Sequence, residues 1–227
     1  MGYQLQFQSV LRHFDLLLQG ALTTVLISVA AIGLAAVIGL VLAALRVTGT
    51  GFIPRLITVY VEIIRNTPFI VQLYFIFFGL PAAGIRLGLF EAALLALVIN
   101  LSGYTVEIIR AGLEATPRGQ VEAGSSLGLS RSQVFIYVMA LPAIERVYPA
   151  LCSQFILAML GTSIVSQISV EELTGMASLI QARTYRAFET YIILAGIYVA
   201  LTFLFRYALY GIGHFLFPWR HRLRRES

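Results

Sequence analysis

The chain alternates long apolar runs with short polar stretches, and that alternation decides its fold class. Leu16 to Leu45, Ile57 to Leu80, Leu89 to Leu113, Ala143 to Ile168 and Tyr191 to Phe217 are the runs. Each reaches the length of about 20 residues that a helix needs to cross a hydrocarbon core. No water reaches backbone polar groups there, so these runs must be helices, which bond their own N–H and C=O groups. The expectation is an all-α integral membrane protein, one domain over residues 1–227 with five transmembrane helices. Composition agrees: 12% of residues are charged, against about a quarter in soluble domains, and the mean hydropathy is +0.85. Met1 to Gln8 is polar and the first run is too long for a cleavable signal, so none is expected.

Within the runs, the polar and small residues carry the information. Gly20, Ala21, Ser28, Gly33, Ala36, Gly39 and Ala43 recur along the first and permit close helix packing. Arg65-Asn66-Thr67-Pro68 interrupts the second. Two readings stand: the cluster lies at membrane depth and faces the bundle interior or a wet cavity, or the run begins after the proline and the cluster is interfacial. In the third, Asn100, Tyr104 and Glu107 follow at spacings of four and three and share one helical face. Glu107 and Arg110 are one turn apart and form a structural ion pair at the interface. Pro149 bends or starts the fourth run, whose far end is polar at Thr162, Ser163, Ser166 and Gln167. Ser169 to Phe188 reads as a short helix with loops.

Five crossings put the two termini on opposite sides, and arginine decides which is which, because the chain has no lysine. With the C-terminus in the cytoplasm, the inner loops hold Arg46, Arg55, Arg110, Arg118 and Arg131, followed by the basic tail 218–227. Arg12, Arg86, Arg183 and Arg186 lie outside. The inner set is larger, so the N-terminus is outside and the loop 114–142 is cytoplasmic. The net charge of +5 belongs to membrane flanks rather than to a nucleic-acid surface. Cys152 is the single cysteine, which excludes an intrachain disulfide.

The cytoplasmic stretch Arg118 to Pro142 is the longest polar interruption. Glu122, Ala123, Gly124, Ser125 and Ser126 make a short helix with a flat, mostly small surface. Gly128-Leu129-Ser130 then reads as a helix stop followed by a new N-cap. Such a knob fits a groove on a soluble partner. No nucleophile–base pair, phosphate-cradling glycine loop or metal-ligand spacing occurs, and His13, His214 and His221 are scattered. The chain by itself is therefore expected to be neither an enzyme nor a metalloprotein.

Glu122-Ala123-Gly124, Gly128 and Leu141-Pro142 resemble the cytoplasmic loop signature of permease subunits of ATP-driven (ABC) importers. More narrowly, the chain resembles the branch for polar amino acids, on stretches that run almost end to end. These are Gly20 with Thr24, Arg65 to Pro68, Val71-Gln72-Leu73, Phe78 to Pro81, Glu107 with Arg110-Ala111-Gly112, Gly119-Gln120, Thr162-Ser163 and Ser169 to Leu173. The resemblance implies a type I importer fold in the bacterial inner membrane. It also implies a second permease subunit, a dimer of cytoplasmic ATP-binding subunits that hold ATP and Mg, and a periplasmic or lipid-anchored amino-acid-binding protein. On that footing Gly119, Gln120, Glu122, Ala123, Gly124, Gly128 and Leu129 couple the ATPase to the membrane helices.

The sequence departs from the family pattern in three places. Gly124 stands for the second alanine of the signature. Leu141-Pro142 falls one residue later than the family spacing, which displaces the expected turn into the fourth span. Leu160-Gly161 replaces a Lys-Asp pair before Thr162-Ser163, which argues against a dibasic substrate. For the membrane path the residues chosen are Asn66, Thr67, Gln72, Asn100, Tyr104, Thr162 and Ser163, since transporter sites favour polar groups and broken helices near the midplane. Interhelical hydrogen bonding uses the same residue types. Two other readings remain open: the same architecture importing an opine or a sulfur compound, and a membrane scaffold that does not transport.

Overall fold

The computed structural model describes residues 4–218, so Arg220, Arg222, Arg224 and Arg225 of the basic tail lie outside the described residues. Among the described residues the chain is helical throughout. A short α1 (Phe7–Leu11) leads into α2 (Phe14–Thr48), then α3 (Phe52–Arg65), α4 (Phe69–Ala82), α5 (Leu89–Glu114) and α6 (Arg118–Ser126). A continuous rod, Arg131–Ile168, follows. It comprises α7 (Arg131–Gln133), a π-helical stretch (Val134–Ala140), α8 (Leu141–Gly161) and a 3-10 stretch (Thr162–Ile168). The chain closes with α9 (Leu173–Thr184) and α10 (Ala187–Leu216).

Four of these units are long and apolar enough to cross a membrane alone: α2, α5, the Arg131–Ile168 rod and α10. The fifth crossing is made by α3 and α4, which are bent by 106° at residues 66–68. Contacts along α2 and α5 require that crossing. Gly39 of α2 meets Thr105 of α5, Arg46 meets Glu107, and Ile27 and Ala31 share a cluster with Ala92 to Val98. The two helices therefore run parallel, and the segment between them must return from one end of the bundle to the other.

Small residues set how closely the helices approach. A Cβ added at Gly39 would lie 2.4 Å from Thr105 Cγ2, and one at Gly20 would lie 2.8 Å from the Leu173 Cα. Likewise Gly103 receives Ile64, and Gly112 receives Val147 and Ala143. Without a hydrophobic force between helices in lipid, this interlocking is what holds a bundle together.

The turn into the fourth crossing is not at Leu141-Pro142. It lies at Leu127 to Ser130, and Pro142 sits inside a helix that is already two turns old. The π-helical stretch directly before it is the form a helix takes when it absorbs an extra residue, so the late Leu-Pro pair is accommodated without a displaced turn.

Candidate functional site

The break between α3 and α4 opposes the middle of α5, where Ile64 packs on Gly103. It therefore lies level with the middle of a candidate span, which favours the reading at membrane depth. The Glu62 carbonyl keeps its helical donor, the Asn66 N–H at 3.1 Å, but the Ile63 and Ile64 carbonyls lose theirs, and polar side chains replace them. Asn66 Nδ2 donates to the Glu62 carbonyl at 2.8 Å, Thr67 Oγ1 to the Ile63 carbonyl at 2.8 Å, and Gln72 Nε2 to the Ile64 carbonyl at 2.8 Å. Gln72 Nε2 also reaches Thr67 Oγ1 at 2.7 Å, while its Oε1 accepts from Asn100 Nδ2 at 3.0 Å. In a bilayer an unsatisfied backbone group costs several kcal/mol, so these side chains are what make the break tolerable.

Beside this network lies a charged one. Glu107 accepts from Arg46 at 2.8 Å, pairs with Arg110 one turn along α5, and faces Arg65 at 3.9 Å. Arg110 also pairs with Glu114. The sequence motivated the Glu107–Arg110 contact alone; Arg46 arrives from 61 residues away and had no local signal. The Arg65 guanidinium lies 5.8 Å from the Tyr104 ring centre, within the range of a cation–π contact, and its side chain is 43% exposed. Asn66 is exposed as well. An exposed arginine and asparagine at mid-depth would be costly against lipid, so this face of the chain needs a polar cover.

Four chosen path residues thus gather at one place, Thr67, Gln72 and Asn100 through hydrogen bonds and Tyr104 through Arg65, while Asn66 is their neighbour in the chain and bonds the Glu62 carbonyl of its own helix. Thr162 and Ser163 do not join them. Thr162 is fully buried. Its hydroxyl donates to the Met159 carbonyl at 2.6 Å, and that of Ser163 to the Leu160 carbonyl at 2.8 Å. Nearby is a buried polar knot that the sequence reading missed. Glu172 is fully buried and caps α9 by accepting from the Gly175 N–H at 2.7 Å. The Tyr198 hydroxyl of α10 donates to the same carboxylate at 2.9 Å, and Thr24 of α2 reaches it at 3.5 Å. The signal available was weak: a glutamate at a helix start, with the glycine it caps three residues on.

At the opposite end of the bundle, α6 follows its N-cap Pro117. Gly128 has φ of 82°, a left-handed conformation that glycine adopts at little cost and that ends the helix. Ser130 opens the next helix through a capping box with Gln133. Gly119, Gln120, Glu122, Ala123 and Gly128 are exposed and Leu129 is half-buried. Gly124 points inward instead, where a Cβ would stand 3.2 Å from Val138 and 3.5 Å from Val134. Its role is to seat α6 on the π-helical stretch. Leu127, unselected in the sequence reading, is 82% exposed at the tip and is the largest apolar contact the knob offers. A cleft of about 250 Å³, lined by Val47, Thr116, Arg118, Glu122 and Met139, separates α6 from the end of α2.

Among the described residues no three His, Cys, Asp or Glu side chains converge as metal ligands. The arrangement offers one polar half-face at mid-depth and one exposed short helix, α6, joined to the same helices.

Comparison with known proteins gives this arrangement its family. Residues 35–214 match the model of the binding-protein-dependent transport system inner membrane component family. The probable glutamine ABC transporter permease protein GlnM of Bacillus subtilis (strain 168) is 36% identical over 190 residues, covering 84% of this chain and 88% of that one. The glutamine transport system permease protein GlnP of Escherichia coli (strain K12) is 35% identical over 208 residues, covering 91% and 95%. A crystal structure of an amino acid ABC transporter with histidines superposes with a TM-score of 0.85 at 36% identity, covering 93% of this chain and 99% of that one. With a family match over most of its length and relatives this close along nearly all of it, the chain is a membrane-spanning permease that belongs to the binding-protein-dependent transport system inner membrane component family.

Proposed function

We propose that the chain forms half of the translocation path of an ATP-driven importer of polar amino acids, with glutamine the first candidate substrate. One observation carries this reading most directly: the mid-depth face at Arg65 and Asn66 is polar and exposed. Such a face is stable only when a second permease subunit, across a wet path, covers it. The relatives' glutamine specificity supplies the substrate class. Glu62 and Arg65, one turn apart and both exposed on α3, offer one charge of each sign to a zwitterion.

ATP and Mg belong to a partner ATPase on this reading, and a binding protein delivers the substrate from outside, on the side of the N-terminus. The knob transmits the work. Closure of the ATPase dimer moves α6 through Glu122, Ala123 and Leu127. Gly124, seated on Val134 and Val138, passes that movement to the rod, and the rod passes it to α5 through the Gly112 contact with Val147 and Ala143. The nucleotide therefore shifts the population between outward- and inward-facing arrangements of one rigid set of helices.

The test is ATPase activity of the assembled complex in liposomes, with its binding protein and a panel of amino acids. Stimulation by a polar amino acid, abolished by Glu122→Arg at unchanged membrane insertion, is the expected result. Full stimulation in that variant would remove α6 from the coupling role. Stimulation by an opine or a sulfur compound alone would replace the substrate class.

A further inference from the structure

Arg206 is a basic side chain within a candidate span that neither the path nor the knob uses. It lies within α10, ten residues before that helix ends at Leu216, and is exposed. No carboxylate pairs with it among the described residues, whose ion pairs involve Arg46, Arg65, Arg110 and Arg186. An arginine within a span normally has a stated partner. Tyr207 and Tyr210 beside it are 71% and 70% exposed; tyrosines gather at headgroup level, so Arg206 reaches the membrane–water boundary with its stem in the apolar layer.

Next to it α8 and α10 enclose a cavity of about 580 Å³. Its wall is mainly apolar, with Pro149, Cys152, Ile156 and Phe217 on it, and among the described residues no acidic side chain lines it. The wall is also fixed. The Tyr148 hydroxyl donates to the Leu209 carbonyl at 2.6 Å, and its ring stands edge-on to Phe217 at 5.4 Å. A Cβ on Gly213 would lie 2.4 Å from that ring. The two helices are thereby locked side by side with the groove between them open. The α10 flank that carries it also exposes Val199 and Phe203, a surface made for acyl chains. The α10 helix packs on α8, α9 and α1, away from the polar break carried by α3 and α4.

We infer that this groove is a binding site for one anionic glycerophospholipid, its phosphate on Arg206 and an acyl chain along the Pro149–Cys152–Ile156 wall. A cation without a counter-charge among the described residues, at headgroup level beside a rigid apolar slot, matches a ligand that is an anion at one end and a hydrocarbon at the other. A free phosphate would leave the slot empty, and a zwitterionic lipid, whose own ammonium offsets its phosphate, would leave the arginine charge uncompensated.

The test is native mass spectrometry of the full-length chain, delipidated in mild detergent and titrated with phosphatidylglycerol or phosphatidylcholine. Wild type retains phosphatidylglycerol at least five-fold better than phosphatidylcholine, about the advantage one arginine gives at an anionic surface. Arg206→Gln removes that preference, Arg206→Lys keeps it, and Arg86→Gln, in the loop before α5, leaves it unchanged. Equal retention of both lipids by wild type overturns the site without recourse to any variant. So does an Arg206→Gln chain that keeps the preference. If Arg206→Gln instead changes subunit stoichiometry with lipid retention unaltered, the cation faces another protein chain and the lipid assignment is wrong.

Discussion

Two interruptions of the spans carry most of the chain's intramembrane polarity, and they treat it in opposite ways. At residues 66–68 the polar side chains bridge two helices, and Arg65 and Asn66 still remain exposed. At residues 162–175 the polar groups turn on themselves. Thr162, Ser163 and Ser166 each bond a carbonyl three residues back, and Glu172 is sealed among α2, α9 and α10. The first break is open and the second is closed. Polarity in a span therefore does not by itself mark a path; what matters is whether donors and acceptors remain after the backbone has been satisfied.

The largest effect should come from the closed side. Glu172→Ala leaves the Gly175 N–H without its acceptor, reduces the Tyr198 hydroxyl to its contact with Thr174 Oγ1 and empties a fully buried volume. Leaving such groups unsatisfied costs about 1–3 kcal/mol each, so the variant should fail to accumulate or should lose most of its thermal stability in detergent, measured by fluorescence-detected size exclusion. Near wild-type stability would show that the knot is dispensable and would erase the contrast.

On the open side the order reverses. Arg65→Gln gives up a long ion pair of a half-exposed group, worth at most about 1 kcal/mol, so stability should barely move. Uptake by the assembled transporter should fall by an order of magnitude or more, because the exposed charge at mid-depth is lost. A large drop in stability with uptake per folded complex unchanged would make Arg65 a structural residue. Asn100→Ala comes next. It deletes the donor to Gln72 Oε1, a bond of a kind worth about 0.6 kcal/mol between membrane helices, and should lower uptake several-fold with a modest loss of stability.

How far the sequence foretold this contrast depends on how far apart the partners sit in the chain. Apolar run length located the crossings, and Gly128 followed by Ser130 located the stop and restart beyond α6, because both are local signals. The Glu107–Arg110 pair, one turn apart, was legible for the same reason. The arrival of Arg46 and Arg65 at that cluster, the Thr24–Glu172 contact across 148 residues and the inward aim of Gly124 were not. No periodicity relates residues that meet only through packing. Thr162-Ser163 resembled path residues by type and by motif, yet their short-range bonds are what a 3-10 stretch does with hydroxyl side chains. Residue type alone could not separate the two uses.

Thr162→Val is the sharpest test of that separation and should have the smallest effect. Valine keeps the shape of the side chain and removes the hydroxyl that donates to the Met159 carbonyl. That hydroxyl donates within its own helix, and its neighbour on α10, the Tyr198 hydroxyl, keeps Glu172 and Thr174 as partners, while the fully buried site excludes a passing solute in this conformation. Stability should change by no more than about 1 kcal/mol, and uptake should stay within two-fold of wild type. A ten-fold loss of uptake at unchanged stability would mean that the 3-10 stretch opens during transport and presents Thr162 to the substrate. The closed break would then be a second, conformation-dependent part of the path, and the distinction between the two regions would be one of state rather than of structure.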